Sequence, residues 1–173
     1  AAVPGRVMLS RCKIARGDAP VSPAPLACPL PGVPREALAR FVRGLEMAPL
    51  DAVSDSNGLG CFELRPRRLA DLGLMHDLRA VRQTVAGRAR QVWVGAFVEP
   101  LTIATFLASP IAQYNALAMS LEMYDRDLII PKSMSRSGAL AVLHCAGPGG
   151  LRSWAKQKFP STIAVHERSK DLF

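Results

Sequence analysis

The placement of proline constrains this chain more than any other feature. Fourteen prolines are spread over 173 residues, and Pro4, Pro20, Pro23, Pro25, Pro29 and Pro31 crowd the first 31. Proline fixes φ and has no amide hydrogen to donate, so such a stretch forms neither a regular helix nor a central strand. Residues 1–33 therefore read as an extended arm or linker, with Val7, Met8, Leu9 and Ile14 available to pin it to a partner. Pro34 is different, because proline suits the first turn of a helix. An apolar pattern with helical spacing starts immediately after it, at Leu38, Phe41, Val42 and Leu45. Residues 34–173 have the length of one domain.

The same punctuation divides the rest. Pro49 ends the first helix, and residues 51–60 are rich in Asp, Ser, Asn and Gly, a loop composition. Residues 61–64 read as a short strand-like piece. Pro66 opens a helix over 66–72, which Gly73 closes. Residues 79–93 read as helical, with weak points at Gly87 and Gly95. Helices are also expected over 101–107, 110–124, 137–144, 150–156 and 161–172, the fourth from last being periodic in Ala116, Leu117, Met119, Leu121 and Met123. The expected class is mainly α, with a small irregular or β element near residues 58–64.

Composition narrows the partners. Hydrophobic residues make up 49%, enough for a core. The longest apolar stretch, 96–111, is interrupted by Glu99, Pro100, Thr102, Thr105, Ser109 and Pro110, so no membrane span is expected. The formal charge of +8 favours polyanions, either nucleic acid or an anionic cell wall. Nucleic acid is not the expected target, because the ten aromatic residues do not alternate with basic ones as a stacking platform requires. Cys12, Cys28, Cys61 and Cys145 include no Cys-x-x-Cys pair, and His76, His144 and His166 stand apart. No metal or cofactor is therefore expected. The even cysteine count is compatible with disulfides and with free thiols alike.

Two segments carry a resemblance. One runs Ser54-Asp55-Ser56-Asn57-Gly58-Leu59-Gly60-Cys61-Phe62-Glu63-Leu64-Arg65-Pro66 and continues to Leu72-Gly73; the other is Ala139-Leu140-Ala141-Val142-Leu143-His144-Cys145-Ala146-Gly147-Pro148-Gly149 with Trp154 following. The first resembles the lytic transglycosylase pattern of a Ser-containing, Gly-rich loop leading to Gly-Leu-Met-Gln, then proline, then a helix ending in Leu-Gly. The second resembles that family's Ala-Tyr-Asn-Ala-Gly-Pro-Gly. Order and a separation of about 80 residues also fit a soluble lytic transglycosylase or goose-type lysozyme domain over 34–173.

The resemblance implies a lysozyme-like fold and cleavage of peptidoglycan glycan strands by a lytic transglycosylase or muramidase. It implies one glutamate at a helix end, which protonates the glycosidic oxygen and then draws the proton from the C6 hydroxyl of the same sugar. That task needs a carboxyl whose pKa is raised by apolar surroundings. Glu46 stands fourteen residues before Gly60 among Leu45, Met47, Ala48, Pro49 and Leu50, and is the candidate acid. Glu63 stands where the family has a groove-facing amide, and is its rival or helper: a second carboxyl there recreates the two-acid arrangement of ordinary glycosidases. A salt bridge from Glu63 to Arg65 or Arg67 is the plainer alternative. Ser54, Gly60, Phe62, His144 and Cys145 are the expected substrate-binding positions. His144 takes the place of the family's tyrosine, which touches the catalytic carboxyl; a locally satisfied core histidine is the other reading.

Two settings follow. One is an enzyme of a bacterial periplasm or extracellular space, or of a phage tail, where the domain opens the wall locally and the arm 1–33 holds it to other virion or envelope proteins. The other is a lysozyme-like domain without catalysis, serving as plug or adaptor in a virion or envelope assembly.

Overall fold

The computed structural model describes residues 30–85, 87–126, 128–156 and 160–173. Most of the expected arm, with Cys12 and Cys28, lies outside them. Its last residues do not: Leu30 is buried in the core and Val33 packs against it.

The order of elements is α1 (Arg35–Leu45), α2 (Pro66–Asp71), β1 (Met75–Val85), β2 (Arg88–Phe97), α3 (Ile103–Ala108), α4 (Pro110–Arg126), α5 (Arg136–Ala155) and α6 (Pro160–Ser169). The chain is thus mainly helical with one small antiparallel sheet. No helix among the described residues is long and apolar enough to cross a membrane.

α1 follows Pro34 and buries Ala37, Leu38, Phe41, Val42 and Leu45 along one stripe, as the i, i+3, i+4 spacing requires. It stops at Glu46, whose backbone is extended. α2 has its proline at the start, and Gly73 follows it with φ +71°. α3 is capped by Thr102 and Thr105, each hydroxyl accepting from the other residue's amide. α5 is capped by the Ser135 hydroxyl, which accepts from the Gly138 amide at 3.1 Å.

α5 carries the most buried segment. Ala139, Leu140, Ala141 and Val142 are fully enclosed. They share one core with Phe41, Phe62, Leu69, Phe106, Leu117 and Leu143, and Leu72 and Trp154 pack against it. At Gly147 (φ 67°, ψ −173°) the helix breaks, and the chain turns before the helix resumes at Pro148. Glycine supplies this positive φ without strain. Arg136 locks α5 to α4 through a two-pronged pair with Asp125, at 2.7 and 2.6 Å, and reaches the Pro31 carbonyl at 2.7 Å.

Two expectations are corrected. Residues 79–93 do not form a helix; they belong to an antiparallel hairpin pairing Ala80 with Trp93, Val81 with Val92 and Val85 with Arg88. The β-branched Val81, Thr84 and Val85 suit the extended backbone, and Gly87 adopts φ +75° in the connection. Val81, Val85 and Val92 are spaced to share one helical face, which is why this segment reads as a helix from sequence. Residues 61–64 are a turn rather than a strand, fixed by single bridges from Leu59 to Val53 and Leu64.

A candidate glycan-binding groove

The loop before α2 is built on Ser54. Its hydroxyl accepts from the Gly58 amide at 3.0 Å, and its own amide donates to the Gly58 carbonyl at 2.8 Å. The loop then turns at Gly60 (φ +72°), directly against the fully buried Gln113 of α4. The Gln113 Oε1 accepts from the Cys61 amide at 2.9 Å, and its Nε2 donates to the Leu50 carbonyl at 2.8 Å. The Cys61 carbonyl in turn accepts from the Met47 amide at 2.7 Å. Gln113 therefore joins α4, the end of the α1 segment and the glycine turn into one unit.

This turn delivers Phe62 and Glu63 to a groove of about 1000 Å³. It is lined by the start of α2, with Arg65, Arg67 and Arg68, by the α5 break from Leu143 to Gly149 with Arg152, and by Met123, Tyr124, Leu128 and Ile129. Two arginines are held by ring stacking: Arg68 lies 3.9 Å from the Tyr124 centroid and Arg67 lies 4.9 Å from that of Trp93. Asn57 donates to the Trp93 carbonyl at 3.2 Å, tying the loop to the hairpin.

Electrostatics differ between the groove's titratable groups. Burial raises the Glu63 carboxyl above the ordinary range, against the opposing pull of the Arg65 charge. The same burial, helped by the Arg68 and Arg65 charges, pushes His144 down to about 4, against a hydrogen bond to the Phe62 main chain. His144 is thus neutral at pH 7, and its Nε2 is buried without a hydrogen-bond partner among the described residues.

Of the residues singled out in the sequence, Phe62, Glu63, His144 and Cys145 line the groove together. Ser54, Gly60 and Glu46 do not. Ser54 is spent on the loop's own hydrogen bonds, and Gly60 faces Gln113. Glu46 is half-buried at the end of α1, where its Oε1 accepts from the Tyr114 hydroxyl. Tyr114 packs edge-on against Phe62, ring centroids 5.0 Å apart, so the Glu46–Tyr114 pair stands one side chain behind the groove. The expected hydrogen bond from His144 to Glu46 is replaced by the one from Tyr114. Glu63 makes no ion pair within 4 Å with Arg65 or Arg67.

Sequence reasoning missed Tyr114 and Gln113. Both lie in a periodic helix, and their bonds to Cys61 and Glu46 come from segments more than fifty residues away. No disulfide joins Cys61 and Cys145. Among the described residues, no three His, Cys, Asp or Glu side chains converge as a metal site. Comparison with family models, with curated proteins and with solved structures returned no match.

Proposed function

We propose that this chain cleaves the glycan strands of peptidoglycan, as a lytic transglycosylase or muramidase, with the strand lying in the groove between α2 and α5. The observation that carries the reading is the Glu63 carboxyl, which lines the groove and which burial keeps protonated to higher pH than an ordinary carboxyl. Glu46, at the helix end and held by Tyr114, stands behind Phe62 outside the groove lining. A carboxyl whose pKa burial raises is suited to the general acid of glycosidic cleavage.

A general acid must first be within reach of the bond and then carry a proton near the working pH. Glu63 lines the groove, and burial shifts its carboxyl in the direction that the second condition asks for. It protonates the leaving oxygen as the C1–O bond breaks. In the transglycosylase course the resulting carboxylate takes the proton of the C6 hydroxyl as O6 closes on C1, leaving a 1,6-anhydro end. In the muramidase course water takes the place of O6. Glu46, with Tyr114 as its donor, is the second carboxyl, and the resemblance assigns it the acid role instead.

Paired glutamine variants assayed on purified peptidoglycan decide this. Glu63→Gln lowering turnover roughly 10²–10⁴-fold, with Glu46→Gln milder, assigns the proton to Glu63. The reverse ranking assigns it to Glu46. Products with 1,6-anhydro ends identify the transglycosylase course. Absence of activity on every wall tested removes the enzyme reading.

One observation favours a second reading, a non-catalytic adaptor or plug in a virion or envelope assembly. Glu46, which the family resemblance makes essential, does not line the groove, and its carboxylate is already engaged by Tyr114. In that case the groove grips a strand without cutting it.

A further inference from the structure

The groove contains more positive charge than a neutral sugar chain needs. Arg65, Arg67, Arg68 and Arg152 line it, against two carboxyls, Glu63 and Asp71. Only Arg68 pairs with one of them, at a loose 3.8 Å to Asp71, which is mostly exposed. Arg65, Arg67 and Arg152 make no ion pair within 4 Å among the described residues.

These side chains are also prepared for binding. Arg68 lies over Tyr124 and Arg67 over Trp93. A guanidinium stacked on a ring keeps its edge N–H groups directed outward, in the fork that matches a carboxylate or phosphate. Stacking has already ordered these long side chains, so a ligand need not bear that cost. Arg65, Arg67, Arg68 and Arg152 all line this one groove, with the His144 ring in the same lining.

We infer that the groove binds an anionic group of its ligand, a carboxylate or phosphate, between Arg65, Arg68 and Arg152 beside His144. This rests on the groove as ligand site and deepens the glycan reading: the strand is recognised through charged substituents, not through its sugar hydroxyls alone. The arginines contribute both the charge and the N–H donors, and the His144 ring in the same lining reports on the site.

The test measures binding to the full chain by calorimetry, using three probes. They are a peptidoglycan glycan fragment with free carboxylates, the same fragment with its carboxylates amidated, and inorganic phosphate. The free-acid fragment should bind roughly ten- to a hundredfold more tightly than the amidated one. Arg65→Gln combined with Arg152→Gln, both exposed positions outside the core, should abolish that difference. The His144 ring nitrogens, followed by 15N NMR, should shift with the free-acid fragment and not with the amidated one. Equal affinity for both fragments overturns the inference and leaves the glycan reading standing. Phosphate binding that moves the His144 signals, with no fragment bound, supports the anion site with phosphate as its source and removes the glycan reading. Failure of all three probes to bind overturns both. Arginine variants that leave the preference intact also overturn the inference.

Discussion

The hydroxyl of Tyr114, on α4, donates its hydrogen bond to the carboxylate of Glu46, 68 residues earlier at the end of α1. No local pattern links these two residues; packing of α4 against the glycine turn brings them together. Tyr114 is buried, Glu46 half-buried, and the phenol ring also supports Phe62 at the groove. Tyr114→Phe keeps the ring and removes only the donor. It should destabilise the fold by about 1–2 kcal/mol in urea titrations, the usual range for a partly buried bond to a charged group. If Glu46 takes part in cleavage, the same variant should lower turnover about tenfold with little change in strand binding. Unchanged turnover alongside the stability loss makes the pair architectural.

Gly60 should tolerate no side chain. Its φ is +72°, and a Cβ there would lie 2.1 Å from Gln113 Oε1. Gln113 cannot move away without abandoning the Cys61 amide and the Leu50 carbonyl. Gly60→Ala therefore combines backbone strain with broken buried hydrogen bonds, and should cost roughly 2–5 kcal/mol. Equilibrium denaturation measures it. A loss below about 1 kcal/mol would mean that the turn relaxes without Gln113.

Much of the helical frame was legible in the sequence because its signals are local. Pro34, Pro66 and Pro110 stand at or beside helix starts, and Gly73 and Gly147 mark a stop and a break. The hairpin was not legible in the same way. Most of both strands faces solvent, so Arg79, Arg82, Arg88 and Arg90 fill positions where an apolar face would have shown the period of two. Its remaining signs were the β-branched Val81, Thr84 and Val85, followed by Gly87. Of the site, Phe62, Glu63, His144 and Cys145 were legible as motif positions beside turns. Tyr114 and Gln113 were not, since a helix's periodicity says which face is buried and nothing of what a polar side chain on that face meets.

Leu140 is fully buried in the first half of α5, within the second of the two segments that suggested the fold. Leu140→Ala removes contacts on all sides and should cost roughly 2–5 kcal/mol. Thermal or urea unfolding checks this. A cost below about 0.5 kcal/mol would contradict the placement of α5.

The two described thiols should react very differently. Burial pushes Cys61 up to about 12, with the Glu46 charge adding to the effect and a backbone hydrogen bond opposing it. The thiolate is the reactive form, so Cys61 is doubly protected. Cys145 is half-buried and lines the groove. Timed alkylation of the folded protein at pH 8, read by peptide mass spectrometry, should label Cys145 long before Cys61. Under denaturing, non-reducing conditions both should be labelled; protection of both there would instead show a disulfide.

His144 should make the fold sensitive to acid. Burial and the charges of Arg68 and Arg65 depress its pKa from 6.5 to about 4. Between these values the unfolded chain binds a proton that the folded chain refuses, so stability falls as pH decreases from about 6.5 towards 4. Glu63 acts in the opposite sense. Its folded pKa is raised, so its contribution is fully present below the unfolded carboxyl value and is lost as pH rises through the folded one. The two overlap above about 4.5, but the larger displacement belongs to His144. From pH 7 to 4.5 its linkage alone amounts to about 2 kcal/mol. Urea titrations at pH 7, 5.5 and 4.5 should show this loss in the unmodified chain. His144→Gln should be less stable at pH 7, having lost the ring's packing and its bond to Phe62, yet flatter with pH by about the same 2 kcal/mol. Parallel pH profiles for the two proteins would show that His144 is protonated in the folded state and has a partner for its second nitrogen.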